Sequence, residues 1–394
     1  MKPRIRVMKC ILDSRFGGPH RRSFAIARRL REHGVETIFL FGDRGARLDC
    51  IDDFEHHYLK HLQFMMRKHP AINLFLFLCF LPWNVLRIRR LLKSRHIDVV
   101  DVDGVTNPVP ALTGRLSGLP VLWCYNDHPP APVKRLLLPW IDRLSTRVVV
   151  QCERLRQSYT DSWPKLGAKM VVLPSGVDTA KFDPSRCNPS TRKGLHRRWG
   201  IPGGCPLVGI VGNLGRMKGH TYFIEAAHQI KQQAPKAKFV VIGRRIDSVP
   251  GYWETLQSLT AKLGLSEDLV FTDYVEDIPA ALSALDVFVL SSILESCPNV
   301  VLEAMAMRVP IVATDVGAVP EMLDAGKVGM IVPPADAAAI SRAVLACLAM
   351  PADEVATITS AARKRVETLF GLDKITRLQL ETYDVLIGQQ AGSA

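Results

Sequence analysis

The 394-residue chain has no C-x-x-C pair and no paired Cys/His spacing of the kind that holds zinc. Its nine cysteines are scattered and odd in number, which argues against a disulfide framework and predicts reduced thiols in a cytosolic protein. No stretch reads G-x-G-x-x-G and none reads as a Walker P-loop, so the usual signatures of dinucleotide and NTP binding are missing. The start, Met1–Val7, runs directly into a strand-like stretch, which predicts no signal peptide. Aromatic residues make up only 7% and do not alternate with basic ones as on a base-stacking platform. The most apolar run, Ala71–Trp83, is shorter than the roughly 20 residues that cross a bilayer. It is expected to be a buried helix, or a surface element dipping into a lipid interface between Arg67 and Lys68 on one side and Arg87, Arg89 and Arg90 on the other.

What the chain has in quantity is apolar residues, 47%, and positive charge, +13 net. The charge is uneven. Residues 1–188 carry 31 Lys and Arg against 17 Asp and Glu, whereas residues 189–394 carry 20 against 21. One half therefore suits an anionic partner: a phosphorylated substrate, an anionic membrane or nucleic acid. No helix-turn-helix pattern supports the last of these.

Short apolar strands alternate with helical stretches twice over, with a restart near Leu207. Such alternation predicts parallel sheets covered on both faces, hence an α/β chain of two doubly wound Rossmann-like domains facing a cleft. The expected division is 1–185, 186–371 and a C-terminal helix from 372 to 394 that returns to the first domain. The linker is expected in the polar stretch Asp183–Gly204.

Two strings stand at strand-to-helix junctions of the second half. In Ser291–Ala306 (SSILESCPNVVLEAMA), Pro298 is expected at the first helical position, leaving the amides of Asn299, Val300 and Val301 free to bind phosphate. Glu295 precedes that helix start and Glu303 follows it by about a turn and a half; their carboxylates suit neutral sugar or ribose hydroxyls. In Val211–His220 (VGNLGRMKGH), Gly212 and Gly215 allow a tight turn, and Arg216 and Lys218 place two cations where they can neutralise a leaving diphosphate.

These strings, with VPIVATDVGAVPEML (309–323), Leu173–Asp178, Phe182 and the early Gly17-Gly18 turn, resemble glycosyltransferase family 4, the retaining GT-B enzymes. The resemblance implies a metal-independent transfer of a hexose-type sugar from a UDP- or GDP-sugar to an acceptor hydroxyl, with no further cofactor. It implies that Arg216 and Lys218 grip the diphosphate, Glu295 holds the transferred sugar, and Glu303 binds the ribose. Asn299 and Val300 are implied as amide donors, Gly212 and Asn213 as parts of the donor loop, Gly18 as the glycine beside the donor phosphate, and His128 as the first-domain histidine near the reacting sugar. The chain departs from the family in having Asn213 where Arg is frequent, Ser296-Cys297-Pro298 in place of glycine-aromatic-glycine, Arg308 for glycine, and Asp101-Val102-Asp103 where a histidine pair is frequent. The Asp pair is expected to serve a strand end or the acceptor side, not a metal. The acceptor is expected on the first domain and to be lipid-linked or anionic, with peripheral contact at the inner face of a membrane, possible roles being bacterial cell-surface polysaccharide or glycolipid synthesis. A nucleotide-sugar 2-epimerase of similar fold is the enzyme alternative, and a basic nucleic-acid-binding protein the alternative of another class.

Overall fold

The computed structural model describes residues 4–12, 18–42, 53–62, 70–104, 107–126, 128–129, 131–245, 251–272 and 275–391. Gly17, Asp127 and the flanking Arg67 and Lys68 lie outside the described residues.

The chain divides into two compact units. The first comprises Met1–Ser175 and Leu372–Ala394, the second Gly176–Gly371. The crossing therefore falls ten residues before the expected boundary. The stretch expected as a linker belongs to the second unit and is folded. Asn188 caps the helix Pro189–Arg198 by accepting from the Thr191 amide, and Arg192 and His196 bind Asp286 and the Ala284 carbonyl. Its polarity reflects an outward helix face with no fully buried residue, which a reading by apolar period cannot distinguish from a loop.

The first unit holds a seven-stranded sheet: β1 (Ile5–Ile11), β2 (Val35–Phe41), β3 (His56–Tyr58), β4 (Val99–Asp103), β5 (Val121–Cys124), β6 (Arg147–Val150) and β7 (Met170–Val172). All pairings are parallel, in the order β3-β2-β1-β4-β5-β6-β7. Central strands such as VLWC of β5 are buried on both faces, which explains their unbroken apolar runs. The C-terminal helix Leu372–Ala391 packs on this sheet, with Leu372, Ile375, Tyr383 and Leu386 in one core with Ile5, Val7, Val99 and Leu122.

The second unit holds β8 (Leu207–Val211), β9 (Lys238–Ile242), β10 (Leu269–Thr272), β11 (Val287–Leu290), β12 (Ile311–Thr314) and β13 (Met330–Val332). They are again all parallel, in the order β10-β9-β8-β11-β12-β13. The helix His220–Gln233 buries Phe223, Ile224, Ala227 and Ile230, the three-and-four spacing of one helix face, against this sheet.

The run Ala71–Trp83 is not a buried helix of its own. It belongs to a 25-residue helix, Pro70–Ser94, that continues through Pro82. Its segment Ile72–Ser94 is long and apolar enough to cross a membrane by length and composition, yet only 17% of it is buried. Phe77, Asn84, Ile88 and Leu92 form the inward stripe. Phe75 (65% exposed), Leu78, Trp83 and Leu86 face outward.

Candidate active site

In the second unit, β8 leads outward to β9 and β10, while its neighbour β11 leads the other way to β12 and β13. The order reverses between β8 and β11, and in doubly wound sheets ligands bind beyond the carboxyl ends of the strands at such a reversal. The two strings singled out in the sequence are the two loops that leave this point.

These loops are joined to each other. Ser291 Oγ donates to the Lys218 carbonyl (3.0 Å) and the Ile293 amide to that of Met217 (2.8 Å). Gly219 adopts φ +66°, and a Cβ there would stand 1.9 Å from the Ser291 carbonyl oxygen, so only glycine lets the loops approach this closely. The loop after β12 closes on the other side. Thr314 Oγ1 donates to the Ser292 carbonyl (2.6 Å) and the Ala318 amide to Ser296 (2.9 Å). Gly317, at φ +49°, leaves no room for a Cβ, which would lie 2.4 Å from the Glu295 and Ser296 carbonyl oxygens. The segment around Glu295 is thus held from both flanks by backbone contacts.

The side chains converge within this frame. Lys218 Nζ lies 2.6 Å from Glu295 Oε1, and Ser292 Oγ donates to the same oxygen at 2.8 Å. Arg216, on the same 3-10 turn as Lys218, is exposed and sets its guanidinium 5.4 Å from the centre of the Tyr252 ring. His220, wholly buried beneath the turn, has its pKa pushed down to about 4, chiefly by burial and further by the charge of Lys218, against an opposing effect of the Gly215 and Gly212 backbone. It is therefore neutral near pH 7, and the turn's positive charge resides in Arg216 and Lys218.

The helix Asn299–Ala306 starts one residue later than expected. Pro298 is its cap, not its first residue, and the Val301 amide is taken by the Pro298 carbonyl (3.0 Å). Asn299 and Val300 remain in the first turn, where amides have no acceptor within the helix. No side chain caps this end. Glu303 is partly buried one turn further on. Two cations, a helix start and a clamped carboxylate therefore surround one strand-order reversal. Cations and first-turn amides suit a diphosphate. The carboxylate suits hydroxyls, since it would repel a phosphate.

Of the expected site residues, Gly212, Asn213, Arg216, Lys218 and Glu295 lie on turns and loops of the second unit, Asn299, Val300 and Glu303 in its helix Asn299–Ala306, and Gly18 and His128 belong to the first. Gly18 opens the helix Gly18–Glu32 that follows β1. His128 is exposed, four residues past the end of β5. The Asp101/Asp103 pair closes β4. Asp101, Asp103 and the Cys124 sulphur lie close enough together to hold a cation, and the ammonium of Lys9 stands among them, 2.8 Å from Asp101 and 2.7 Å from Asp103. Burial alone would lower the Lys9 pKa, but the two carboxylates outweigh it and hold it well above its ordinary value. Tyr383 Oη donates to the other Asp101 oxygen at 2.7 Å, tying the C-terminal helix to this strand end. Neither Lys9 nor Tyr383 was marked by the sequence reading. The one available signal was a lysine inside an otherwise buried strand two positions before its end.

Two family models divide the chain much as the two units do: "Glycosyltransferase Family 4" matches residues 16–181 and "Glycosyl transferases group 1" matches 205–350. The lipopolysaccharide core biosynthesis mannosyltransferase LpcC of Rhizobium leguminosarum bv. viciae is 30% identical over 249 residues, 63% of this chain and 67% of that protein. A GDP-mannose-dependent alpha-(1-6)-phosphatidylinositol monomannoside mannosyltransferase of Mycolicibacterium smegmatis is 34% identical over 193 residues, 47% of this chain but only 48% of that protein's length. Among solved structures, Anabaena HepE in complex with UDP and glucose superposes with a TM-score of 0.81 at 18% identity, covering 97% of this chain and all of that one. With two parallel-sheet units and these matches together, the chain belongs to glycosyltransferase family 4 and has the GT-B fold.

Proposed function

We propose that the chain transfers a hexose-type sugar from a nucleotide-diphosphate sugar, UDP- or GDP-linked, to an acceptor hydroxyl, with retention of anomeric configuration and without a metal. The observation that carries this reading is the contact of Lys218 with Glu295, with Arg216 on the same turn and the first-turn amides of Asn299 and Val300 on the helix after Glu295, in the two segments that leave the strand-order reversal of the second unit. In this reading the two cations stabilise the leaving diphosphate, Glu295 orients the sugar and Glu303 holds the ribose, so that catalysis is positioning and electrostatics. UDP in one structural neighbour and GDP-mannose in the name of one relative support a nucleotide donor and leave its base open.

The acceptor in this proposal is lipid-linked or anionic and is bound by the first unit, which works at the inner face of a membrane. The exposed apolar side of Pro70–Ser94 supports this, with Arg87, Arg89, Arg90 and Lys93 at its C-terminal end. Leu136 (68% exposed) and Trp140 add a second apolar patch on the helix Ala131–Leu144. Because the inward stripe of Pro70–Ser94 packs on the unit, the helix lies on the lipid interface and does not cross it.

The test is incubation with UDP- and GDP-hexoses and a glycolipid extract, with and without EDTA. The expected outcome is acceptor-dependent release of nucleoside diphosphate, undiminished by EDTA, with NMR showing the donor's anomeric configuration kept in the product. Strict dependence on magnesium or manganese would remove the metal-free mechanism. Inversion of the sugar's C2 centre in the donor without acceptor would establish the epimerase instead.

A further inference from the structure

We propose that the Lys218–Glu295 ion pair is a self-occupied form of the donor site, which lets the site distinguish an intact nucleotide sugar from the nucleoside diphosphate left after transfer. The inference rests on the donor-site reading above. Lys218 Nζ is 2.6 Å from Glu295 Oε1, and Ser292 Oγ is 2.8 Å from the same oxygen, so the carboxylate expected to hold the sugar already holds the cation expected to hold the diphosphate. The Lys218 side chain is 37% exposed and that of Glu295 13%, so an arriving anion can reach the ammonium more readily than it can the carboxylate.

Backbone contacts fix both loops. The Ser291–Lys218 and Ile293–Met217 bonds join them, and Gly219 and Gly317 allow approaches that no other residue would. The exchange therefore cannot come from the loops parting. It has to come from the four-carbon stem of Lys218 swinging from carboxylate to phosphate. A diphosphate takes the ammonium and leaves Glu295 short of one charged donor, with the Ser292 hydroxyl retained. In an intact donor, the sugar hydroxyls replace Lys218 as donors to Glu295, so the loss is made good. In the spent nucleotide nothing replaces it. A carboxylate stripped of a partner in a mostly enclosed place is costly, so reforming the ion pair opposes retention of the product. Ser292, Glu295 and Lys218 thus act together in selectivity.

Calorimetric titration of the full chain with UDP, GDP and inorganic pyrophosphate tests this, using wild type, Glu295→Gln, Lys218→Ala and the double variant. Glu295→Ala serves as a second probe of the same position, should the Gln variant fold poorly. Removing the carboxylate is expected to tighten binding of the nucleoside diphosphate and of pyrophosphate by about tenfold, while changing it by less than about twofold when Lys218 is already Ala. Equal tightening in both backgrounds would mean plain charge repulsion and would overturn the proposal, as would unchanged or weaker binding in the single Glu295 variants. An unaltered affinity in Lys218→Ala would instead remove the donor-site reading itself, so the two failures are told apart.

Discussion

At the scale of single residues, the account assigns distinct work to side chains that the sequence presents as similar. Glu295 is held by Lys218 and Ser292, whereas Glu303 stands one turn into the helix Asn299–Ala306. Glu303→Gln is expected mainly to raise KM for the donor, since a ribose is held alike before and during reaction, and Glu295→Gln mainly to lower kcat. Matching kinetic profiles for the two variants would contradict the assignment. Replacing Arg216 or Lys218 by Ala is expected to remove on the order of 3 kcal/mol of transition-state stabilisation, read as a fall in kcat/KM. His220 gives a prediction about stability. In the folded protein it takes a proton only near pH 4, against 6.5 for the free side chain. Between these values the unfolded chain binds more protons, so the stability due to neutral His220 is complete above pH 6.5 and is lost as pH falls toward 4, by up to about 3 kcal/mol. Denaturant titrations at pH 4.5 and 7 are expected to differ less for His220→Gln than for wild type. The residues proposed for the donor site could be marked in the sequence because they lie in two contiguous strings at strand-to-helix junctions. His220 stands in the same string, but nothing in sequence says that it is buried, and the Lys9–Asp101–Tyr383 cluster joins positions separated by up to 374 residues between Lys9 and Tyr383.

At the scale of elements, most strands could be read, because a strand buried on both faces is a short apolar block between polar turns. Val35–Phe41 and Val121–Cys124 are such blocks, buried along almost their whole length. Helices with no buried apolar stripe, such as Pro189–Arg198, or with a proline inside them, such as Ala131–Leu144 with Pro139, are harder to read. Pro70–Ser94 extends beyond the apolar run Ala71–Trp83 because its second half alternates apolar residues with the exposed Arg87, Arg89 and Arg90. Pro82, between Phe77 and Asn84 of the inward-facing stripe, removes a hydrogen bond without breaking the packing on either side. Two predictions belong here. Gly317→Ala forces a left-handed alanine, which costs roughly 1–2 kcal/mol, and drives its methyl into the Glu295 carbonyl; activity is expected to fall more than overall stability, compared by kcat/KM and thermal melting on the same samples. For the outward face of Pro70–Ser94, co-sedimentation with anionic but not neutral vesicles is expected, weakened by salt and by changing Arg87, Arg89 and Arg90 to Glu, since each basic residue near an anionic surface contributes about 1 kcal/mol. Indifference to both kinds of vesicle would take the membrane out of the proposal.

At the scale of the whole molecule, the division of labour follows the division of charge. The basic excess lies in the sequence before residue 189, and the donor loops lie in the nearly neutral remainder. In the proposed function, a donor loop in a nearly neutral unit would owe its affinity for a diphosphate to local arrangement, not to a general positive field. That arrangement makes the central claim open to direct test. Ligands that bind only the folded state stabilise it by about 2.7 kcal/mol at a hundred times their dissociation constant, and in a unit of this size each kcal/mol moves the melting temperature by roughly 2–4 °C. The deciding measurement is a thermal-shift titration of the wild-type chain and the Arg216→Ala/Lys218→Ala variant with UDP, GDP, ADP and their sugars. The account predicts that UDP or GDP and its sugars raise the wild-type melting temperature by about 5 °C or more at saturation, and that the double variant loses most of the shift. A full shift in the variant, or none from any nucleotide in the wild type, would contradict it.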